Sequence, residues 1–202
     1  AIELATDLHL HPEILSKAER GYVLADSSLS LPVKACASPL VLEMSPVEAF
    51  RLIALSCILQ LQRNEAGAIA GQDPEYVHQA RVSIRRLRSA FKLFSPLLPK
   101  CFVDVYAPRW RHLAAQLGGA RDWDVFLNET LAPLDEAFPG DPDLAILRCR
   151  GEAKKRKAQE NAVNALRQRE YSQLLLAFSA ALLRVDGPTI HSGQAKEAKN
   201  LL

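Results

Sequence analysis

The chain has 202 residues, of which 49% are hydrophobic and 24% are charged, and this composition indicates a soluble globular protein of one domain or slightly more. No apolar stretch approaches the ~20 residues that a membrane-spanning helix needs, and the first residues lack the pattern of a signal peptide. The four cysteines are scattered without a CxxC pair. We therefore expect reduced thiols and a cytoplasmic location, rather than a disulfide framework or a metal site.

Charge is distributed unevenly along the chain. Residues 1–73 carry 5 Lys/Arg against 9 Asp/Glu, whereas residues 74–202 carry 20 against 14. A basic segment that follows an acidic one favours an anionic partner for the second part.

Residues 1–44 differ in pattern from the rest of the chain. Serines and prolines separate short pieces that read as extended, such as Tyr22–Ala25 and Leu40–Leu42. No helix of useful length is expected after Leu15. We interpret this segment as the remnant of a β-containing domain followed by a linker.

Strong helix signals begin at Ser45-Pro46-Val47-Glu48, which combines an N-cap serine, a proline at the first helical position and a glutamate three residues after the cap. This helix is expected to end near Ile69, and Asp73-Pro74 starts a second helix that Pro96 and Pro99 end. Further helices are predicted over residues 103–117, 122–138, 142–167 and 170–184, with breaks at Gly118-Gly119 and Pro139-Gly140.

These elements predict a mainly α fold. About six helices joined by short loops favour an antiparallel helical bundle, here over residues 45–185, with a short extended N-terminal segment before it. Residues 186–202 are polar and weakly patterned, which is typical of a tail.

Two parallel stripes run along the second helix. The apolar stripe consists of Val77, Ala80, Ile84, Leu87, Phe91 and Phe94. The second stripe, called the basic stripe below, consists of His78, Arg81, Arg85, Arg88 and Lys92. It follows the same spacing one residue later, which is ~100° around the helix axis. The apolar stripe should fix the helix to the core and hold the basic stripe along the edge of that contact.

The basic stripe is roughly 21 Å long at ~1.5 Å per residue. No Asp or Glu lies between Glu75 and Lys100 to relieve its internal repulsion. A long anion with repeating charge would explain this concentration, and the planar fork of arginine suits phosphate. A salt-bridged, solvated face that draws its acids from neighbouring helices is the alternative, and the residues alone leave both open.

His78 belongs to the basic stripe by register. A bound anion would favour its charged form, so tighter anion binding is expected at pH 6 than at pH 8. An ordinary surface histidine without a ligand role is the alternative.

The motif Val77-His78-x-x-Arg81-Val82-x-x-Arg85-Arg86-Leu87-Arg88-x-x-x-x-Leu93-Phe94 resembles that of the CHAD family, the conserved-histidine α-helical domains. The segment Gly118–Val125 resembles the second motif of this family, and the run from Arg167 resembles the end of its first half. The resemblance covers about residues 46–184. It implies a non-catalytic helical domain that binds inorganic polyphosphate through its basic residues, without a cofactor or metal, and that associates with polyphosphate granules.

The segment Ser16–Tyr22 resembles the closing part of a CYTH, or triphosphate-tunnel, domain, which often precedes CHAD in one chain. This resemblance assigns residues 1–44 to the end of a CYTH-like domain plus a linker. The alternating glutamates that bind metal in that family do not occur here, so triphosphatase activity would belong to a longer parent chain.

CHAD domains usually have two similar halves that face each other across a basic channel. This chain has one helix of the required pattern, so we interpret residues 45–185 as a first half. Either the chain is truncated, or a homodimer supplies the missing half. Surfaces meant for the absent half would be exposed and would favour association.

Further basic residues are weaker candidates for anion binding: Arg86, Arg111, Arg121, Arg150, Lys154 and Lys157. Arg121 would either reach an anion or pair with Asp124. Asp122 and Asp124 are interpreted as structural charges at a helix start. Trp110 and Trp123 are expected in the core.

Three other functions stay open. The basic stripe would also attract nucleic acid, although the nearby aromatic residues lie on the apolar face and leave none to stack on bases. Acid–base chemistry by His78 would need a nucleophile, paired carboxylate or metal cluster, and the sequence shows none beside it. The same face would also suit an acidic protein partner.

Overall fold

The structure is a computed structural model that describes residues 10–25, 31–71 and 73–185. Within these ranges all the regular secondary structure is helical, which confirms the predicted α-helical bundle. The helices are α1 (Lys17–Ala25), α2 (Pro46–Ala70), α3 (Pro74–Phe94), α4 (Lys100–Val125), α5 (Ala132–Ala137), α6 (Pro142–Arg167) and α7 (Arg169–Arg184), with a 3₁₀ turn (Ser95–Leu97) after α3 and a π-helical segment (Phe126–Leu131) after α4. The predicted tail, residues 186–202, lies outside the described residues.

The ends of several helices follow from their caps. Ser45 forms a capping box with Glu48 at the start of α2, and the Asp73 side chain accepts a hydrogen bond from the Glu75 backbone N–H at the start of α3. Gly71 follows α2 with φ 65°, a left-handed conformation that glycine adopts without strain. The predicted starts of α2 and α3 are therefore confirmed.

Aromatic side chains form the centre of the core. Phe50, Phe91, Trp110 and Phe178 are each at most 4% exposed, and the Trp110 and Phe178 rings meet edge to face with centroids 5.2 Å apart. The prediction of a core position is confirmed for Trp110. Trp123 is only half-buried.

The predicted break at Gly118-Gly119 was wrong, because α4 runs through both glycines to Val125. A glycine that ends a helix normally has a positive φ, and neither of these glycines does. The chain then continues through the π-helical segment into α5, so the predicted helices 103–117 and 122–138 are parts of one helical run. Asp122 and Asp124 consequently lie inside a helix, not at a helix start as predicted.

The prediction of extended structure over Tyr22–Ala25 was also wrong, because these residues end α1. A capping box that sequence reasoning overlooked starts this helix: the Glu19 carboxylate accepts from the Ser16 backbone N–H at 2.8 Å, and the Glu19 N–H donates to the Ser16 hydroxyl. Leu40 and Val41 lie in irregular chain that turns at Leu42, so Leu40–Leu42 forms no strand.

The segment predicted to be a linker is attached to α2. The fully buried Asn64 side chain forms two hydrogen bonds of 2.9 Å with Val33, accepting from its N–H and donating to its carbonyl oxygen. Two residues earlier in the same helix, Gln62 Nε2 donates to the Pro12 carbonyl at 2.9 Å. Side chains of α2 thus bind the backbone of two separate N-terminal stretches.

Candidate anion-binding site

A cleft of about 360 Å³ lies between α3 and α4. Basic side chains dominate its lining, which also includes small apolar side chains. The lining residues are His78, Arg81, Val82, Arg85 and Arg88 from α3, and Ala114, Arg121, Asp122 and Val125 from α4. Four of the five basic-stripe residues therefore share one cleft.

The apolar stripe of α3 explains this placement. Val77, Ala80, Ile84 and Leu87 are at most 3% exposed, so they fix the rotation of the helix against the core. The basic stripe, one residue further round, is then held at the edge of the buried face, as the sequence predicts.

The α4 wall is anchored in a similar way. Trp110, Leu113, Leu117 and Ala120 are buried, whereas the next position along the chain, Arg121, lines the cleft. Continuity of α4 through the two glycines is what carries this arginine to a fixed position opposite α3.

The basic side chains of the cleft differ in whether a carboxylate pairs with their positive charge. Arg81 Nη2 lies 3.3 Å from Asp122 Oδ1, and Arg121 Nη2 lies 3.4 Å from Glu129 Oε1. Arg85 and Arg88 are exposed and have no ion pair or side-chain hydrogen bond to any described residue. Acids of the helical run that follows α3 therefore compensate Arg81 and Arg121, whereas no described acid compensates Arg85 or Arg88.

His78 and Lys92 mark the two ends of the basic stripe. His78 is half-buried, and its Nδ1 is out of contact with solvent without a hydrogen-bond partner among the described residues. Such a buried polar atom costs roughly 1–3 kcal/mol. Lys92 is exposed and continues the stripe along α3 beyond the residues that line the cleft.

Arg86 occupies a different face of α3. Its Nη1 donates to Gln60 Oε1 at 3.0 Å, and its Nη2 donates to the Cys36 carbonyl at 3.0 Å. This weaker candidate therefore joins α3 to α2 and to the N-terminal segment, and it does not line the cleft.

The other weaker candidates also lie outside the cleft, except for Arg121. They are exposed residues of α4 (Arg111) and α6 (Arg150, Lys154, Lys157). Two other basic residues of α6 are paired, Arg148 with Asp135 and Lys155 with Asp124, the latter at 2.8 Å. Carboxylates of α4 (Asp124) and α5 (Asp135) thus neutralise part of the basic charge of α6.

The sequence did not predict that two acidic residues, Asp122 and Glu129, lie at this site. Asp122 was assigned to a helix start, yet it lines the cleft. Arg121, expected either to reach an anion or to pair with Asp124, lines the cleft and pairs with Glu129. A continuous helical pattern over 114–125 would have placed Ala114, Arg121 and Val125 on one face, but the double glycine obscured it.

A serine, a histidine and a glutamate meet elsewhere in the molecule. His11 Nδ1 lies 2.9 Å from Ser172 Oγ, and His11 Nε2 lies 3.2 Å from Glu65 Oε1. Ser172 is only 1% exposed, so its hydroxyl is not presented to a substrate. Tyr171 donates a further hydrogen bond of 2.9 Å to Glu65, and the group holds the N-terminal segment against α2 and α7.

Among the described residues, no helix is long and apolar enough to cross a membrane, and no group of His, Cys, Asp and Glu side chains suits a metal ion. The four cysteines, Cys36, Cys57, Cys101 and Cys149, are all free thiols.

The sequence and the fold were compared with known proteins. The family model described as the CHAD domain matches residues 52–202. The structure is similar to the crystal structure of the CHAD domain from the plant Ricinus communis, with 34% sequence identity and a TM-score of 0.65 over 79% of this chain. The chain spans 54% of that protein, about half its length. No functionally curated protein matches. Because the family model covers most of the chain and the fold agrees, the chain belongs to the CHAD domain family.

Proposed function

We propose that this protein binds inorganic polyphosphate in the cleft between α3 and α4, without catalysing a reaction. The observation that carries the proposal is the pair Arg85 and Arg88, which no described acidic residue compensates and which lie beside Arg81, Arg121 and His78 in one cleft. Uncompensated like charges repel, so an arrangement that gathers them favours an anionic ligand.

The chemistry of arginine and the shape of the site both suit condensed phosphate. A guanidinium group donates two parallel hydrogen bonds to one phosphate and stays charged at physiological pH. The basic stripe repeats its charges along the helix axis and continues to Lys92 outside the cleft. A linear polymer with charge on every phosphate could contact Arg81, Arg85 and Arg88 in turn.

Nucleic acid is the alternative ligand with a similar charge. Phe91 is buried in the core and Phe94 packs against it, so neither ring is available to stack on a base. We therefore expect RNA to bind more weakly than polyphosphate and to be displaced by it.

We also propose that a second copy of the chain faces this cleft and supplies the other wall of a channel. The chain spans 54% of its plant relative. Exposed apolar side chains such as Val105 and Leu183 are available for association. Sedimentation of the protein with and without polyphosphate measures this directly.

Polyphosphate binding also implies a cellular setting. A domain of this kind would be recruited to cytoplasmic polyphosphate granules, or would serve as the accessory domain of a CYTH-type triphosphatase in a longer chain. Both expectations rest on the family resemblance, and the assignment of residues 1–44 to a CYTH-like domain stays a prediction.

Calorimetric titration with long-chain polyphosphate at two salt concentrations tests the proposal. The variant Arg85→Glu/Arg88→Glu reverses the two uncompensated charges of the cleft. Its matched control, Arg156→Glu/Arg167→Glu, makes the same change of net charge at two exposed arginines of α6. We expect salt-sensitive binding by the wild-type protein and the control, and none by the cleft variant.

Two results would contradict the proposal. Equal loss of binding in both variants would mean that net charge matters and the cleft does not. No binding by the wild-type protein would show that this chain alone does not hold polyphosphate.

A further inference from the structure

Two carboxylates lie against the arginines of an otherwise basic cleft. Asp122 lines the cleft itself, and Glu129, in the π-helical segment, contacts Arg121 from outside the lining. We propose that Asp122 is a built-in competitor for the ligand: it occupies Arg81 in the empty site and must be displaced when phosphate binds. This inference rests on the proposed function and makes Asp122 a specificity-determining residue.

The geometry suits displacement. The Asp122 side chain is 70% exposed and its contact with Arg81 is a single one of 3.3 Å, whereas Arg81 is 34% exposed. An exposed ion pair of this kind is weak, because water and salt screen it. A phosphate that offers two oxygens to the same guanidinium forms the stronger contact.

Binding of phosphate at Arg81 has a cost that binding at Arg85 or Arg88 does not have, because only Arg81 pairs with a carboxylate of the cleft lining. Once phosphate takes Arg81, the Asp122 carboxylate stays on the same cleft wall, next to a second anion. An anion with a single phosphate gains little from Arg81 under this repulsion. A chain that also contacts Arg85, Arg88 and Lys92 gains enough from those uncompensated charges to bind.

Asp122 thus lowers the affinity of the cleft most for short phosphates, which depend on Arg81, and less for chains that also contact Arg85, Arg88 and Lys92. The substitution Asp122→Asn removes the competing charge but keeps the size of the side chain. Since Asp122 is exposed, the fold should tolerate this change, which circular dichroism and thermal unfolding verify.

The experiment measures binding of tripolyphosphate and of long-chain polyphosphate to the wild-type protein, Asp122→Asn and Asp135→Asn. The last is the matched control, because Asp135 also pairs with an arginine, Arg148, but lies outside the cleft. Both substitutions change the net charge equally. We expect Asp122→Asn to bind tripolyphosphate about two- to fivefold more tightly than the wild-type protein, and Asp135→Asn to bind as the wild-type protein does.

A double-mutant cycle separates competition at Arg81 from a general effect of charge. In the Arg81→Met background the substitution Asp122→Asn should have little further effect, because the shared partner is gone. Equal effects in both backgrounds, or no tightening in Asp122→Asn, would overturn the inference while polyphosphate binding itself stands. Absence of polyphosphate binding in the wild-type protein would overturn the proposed function, and this inference with it.

Discussion

Arg86 Nη1 and Gln60 Oε1 are 3.0 Å apart, although in sequence Arg86 stands between two arginines of the cleft, Arg85 and Arg88. Gln60 is buried and in turn donates to Gln79 at 3.0 Å. One turn of helix therefore carries arginines with different contacts: Arg86 joins α3 to α2 and to the N-terminal segment, and Arg88 lines the cleft.

Substitution of these two arginines by methionine should separate the tasks. Arg86→Met removes the donors to Gln60 and to the Cys36 carbonyl, so we expect a loss of about 1–3 kcal/mol in the free energy of unfolding and unchanged polyphosphate affinity. Arg88→Met should alter stability by less than about 0.5 kcal/mol and weaken binding roughly tenfold. Denaturant unfolding and calorimetry measure both quantities. A variant Arg86→Met that folds normally but no longer binds would place Arg86 in the site.

His78 should make binding sensitive to pH. A bound polyanion favours the protonated imidazole, so we expect tighter binding at pH 6 than at pH 8 at constant ionic strength. The variant His78→Gln should bind with the same affinity at both pH values. Long-chain polyphosphate is the ligand for both proteins, because its few end groups contribute little to the change of ligand charge with pH. An equal pH dependence in the variant would assign the effect to another group.

The contact between His11 and Glu65 should stabilise the N-terminal segment at low pH. The hydrogen bond to Glu65 raises the pKa of His11 above its ordinary value of 6.5, although partial burial opposes the shift. Because the folded pKa is the higher one, the contribution is fully present below about pH 6.5 and is lost as the pH rises through the raised value.

Unfolding of the wild-type protein and His11→Gln at pH 5.5 and pH 8.5 tests this linkage. We expect the wild-type protein to have a larger free energy of unfolding than His11→Gln at pH 5.5. This difference between the two proteins should be smaller at pH 8.5. The other histidines are present in both proteins, so their titration cancels in the comparison. A difference that grows with pH would show that the neutral imidazole makes the stronger contact.

Gly67 should not tolerate a side chain, because a Cβ atom at this position would overlap the ring of Tyr76, which is 3% exposed. We expect Gly67→Ala to destabilise the protein by about 1–3 kcal/mol. Gly118→Ala is the control, since a Cβ there meets no atom within 4 Å inside α4 and should stabilise by about 0.5–1 kcal/mol. Thermal unfolding of both variants measures these changes in stability. An unchanged stability of Gly67→Ala would mean that the Tyr76 ring moves aside easily.

Local signals predicted most of the helices. The capping box at Ser45 and Glu48 and the Asp73-Pro74 start lie where they were expected, because their hydrogen bonds form within a few residues. The basic stripe was also found from spacing alone, since the apolar stripe beside it determines the rotation of α3.

Features that depend on distant partners were not predictable in the same way. A double glycine is a local signal for a helix stop, but whether Gly118 and Gly119 end α4 depends on packing against α6, where Ala158 lies in contact distance of a Cβ at Gly119. The pairing of Arg81 with Asp122 likewise joins two helices, and spacing within α3 holds no information about it.

Because α4 is continuous from Lys100 to Val125, one wall of the cleft is a single rod that is locked in the core through Trp110. The other wall, α3, is equally uninterrupted between His78 and Arg88. With no loop in either wall, the width of the cleft can change only when whole helices slide or tilt against each other. If the cleft binds a polyanion as proposed, adjustment on binding falls mainly to the ligand, and a flexible polymer fits better than a stiff one.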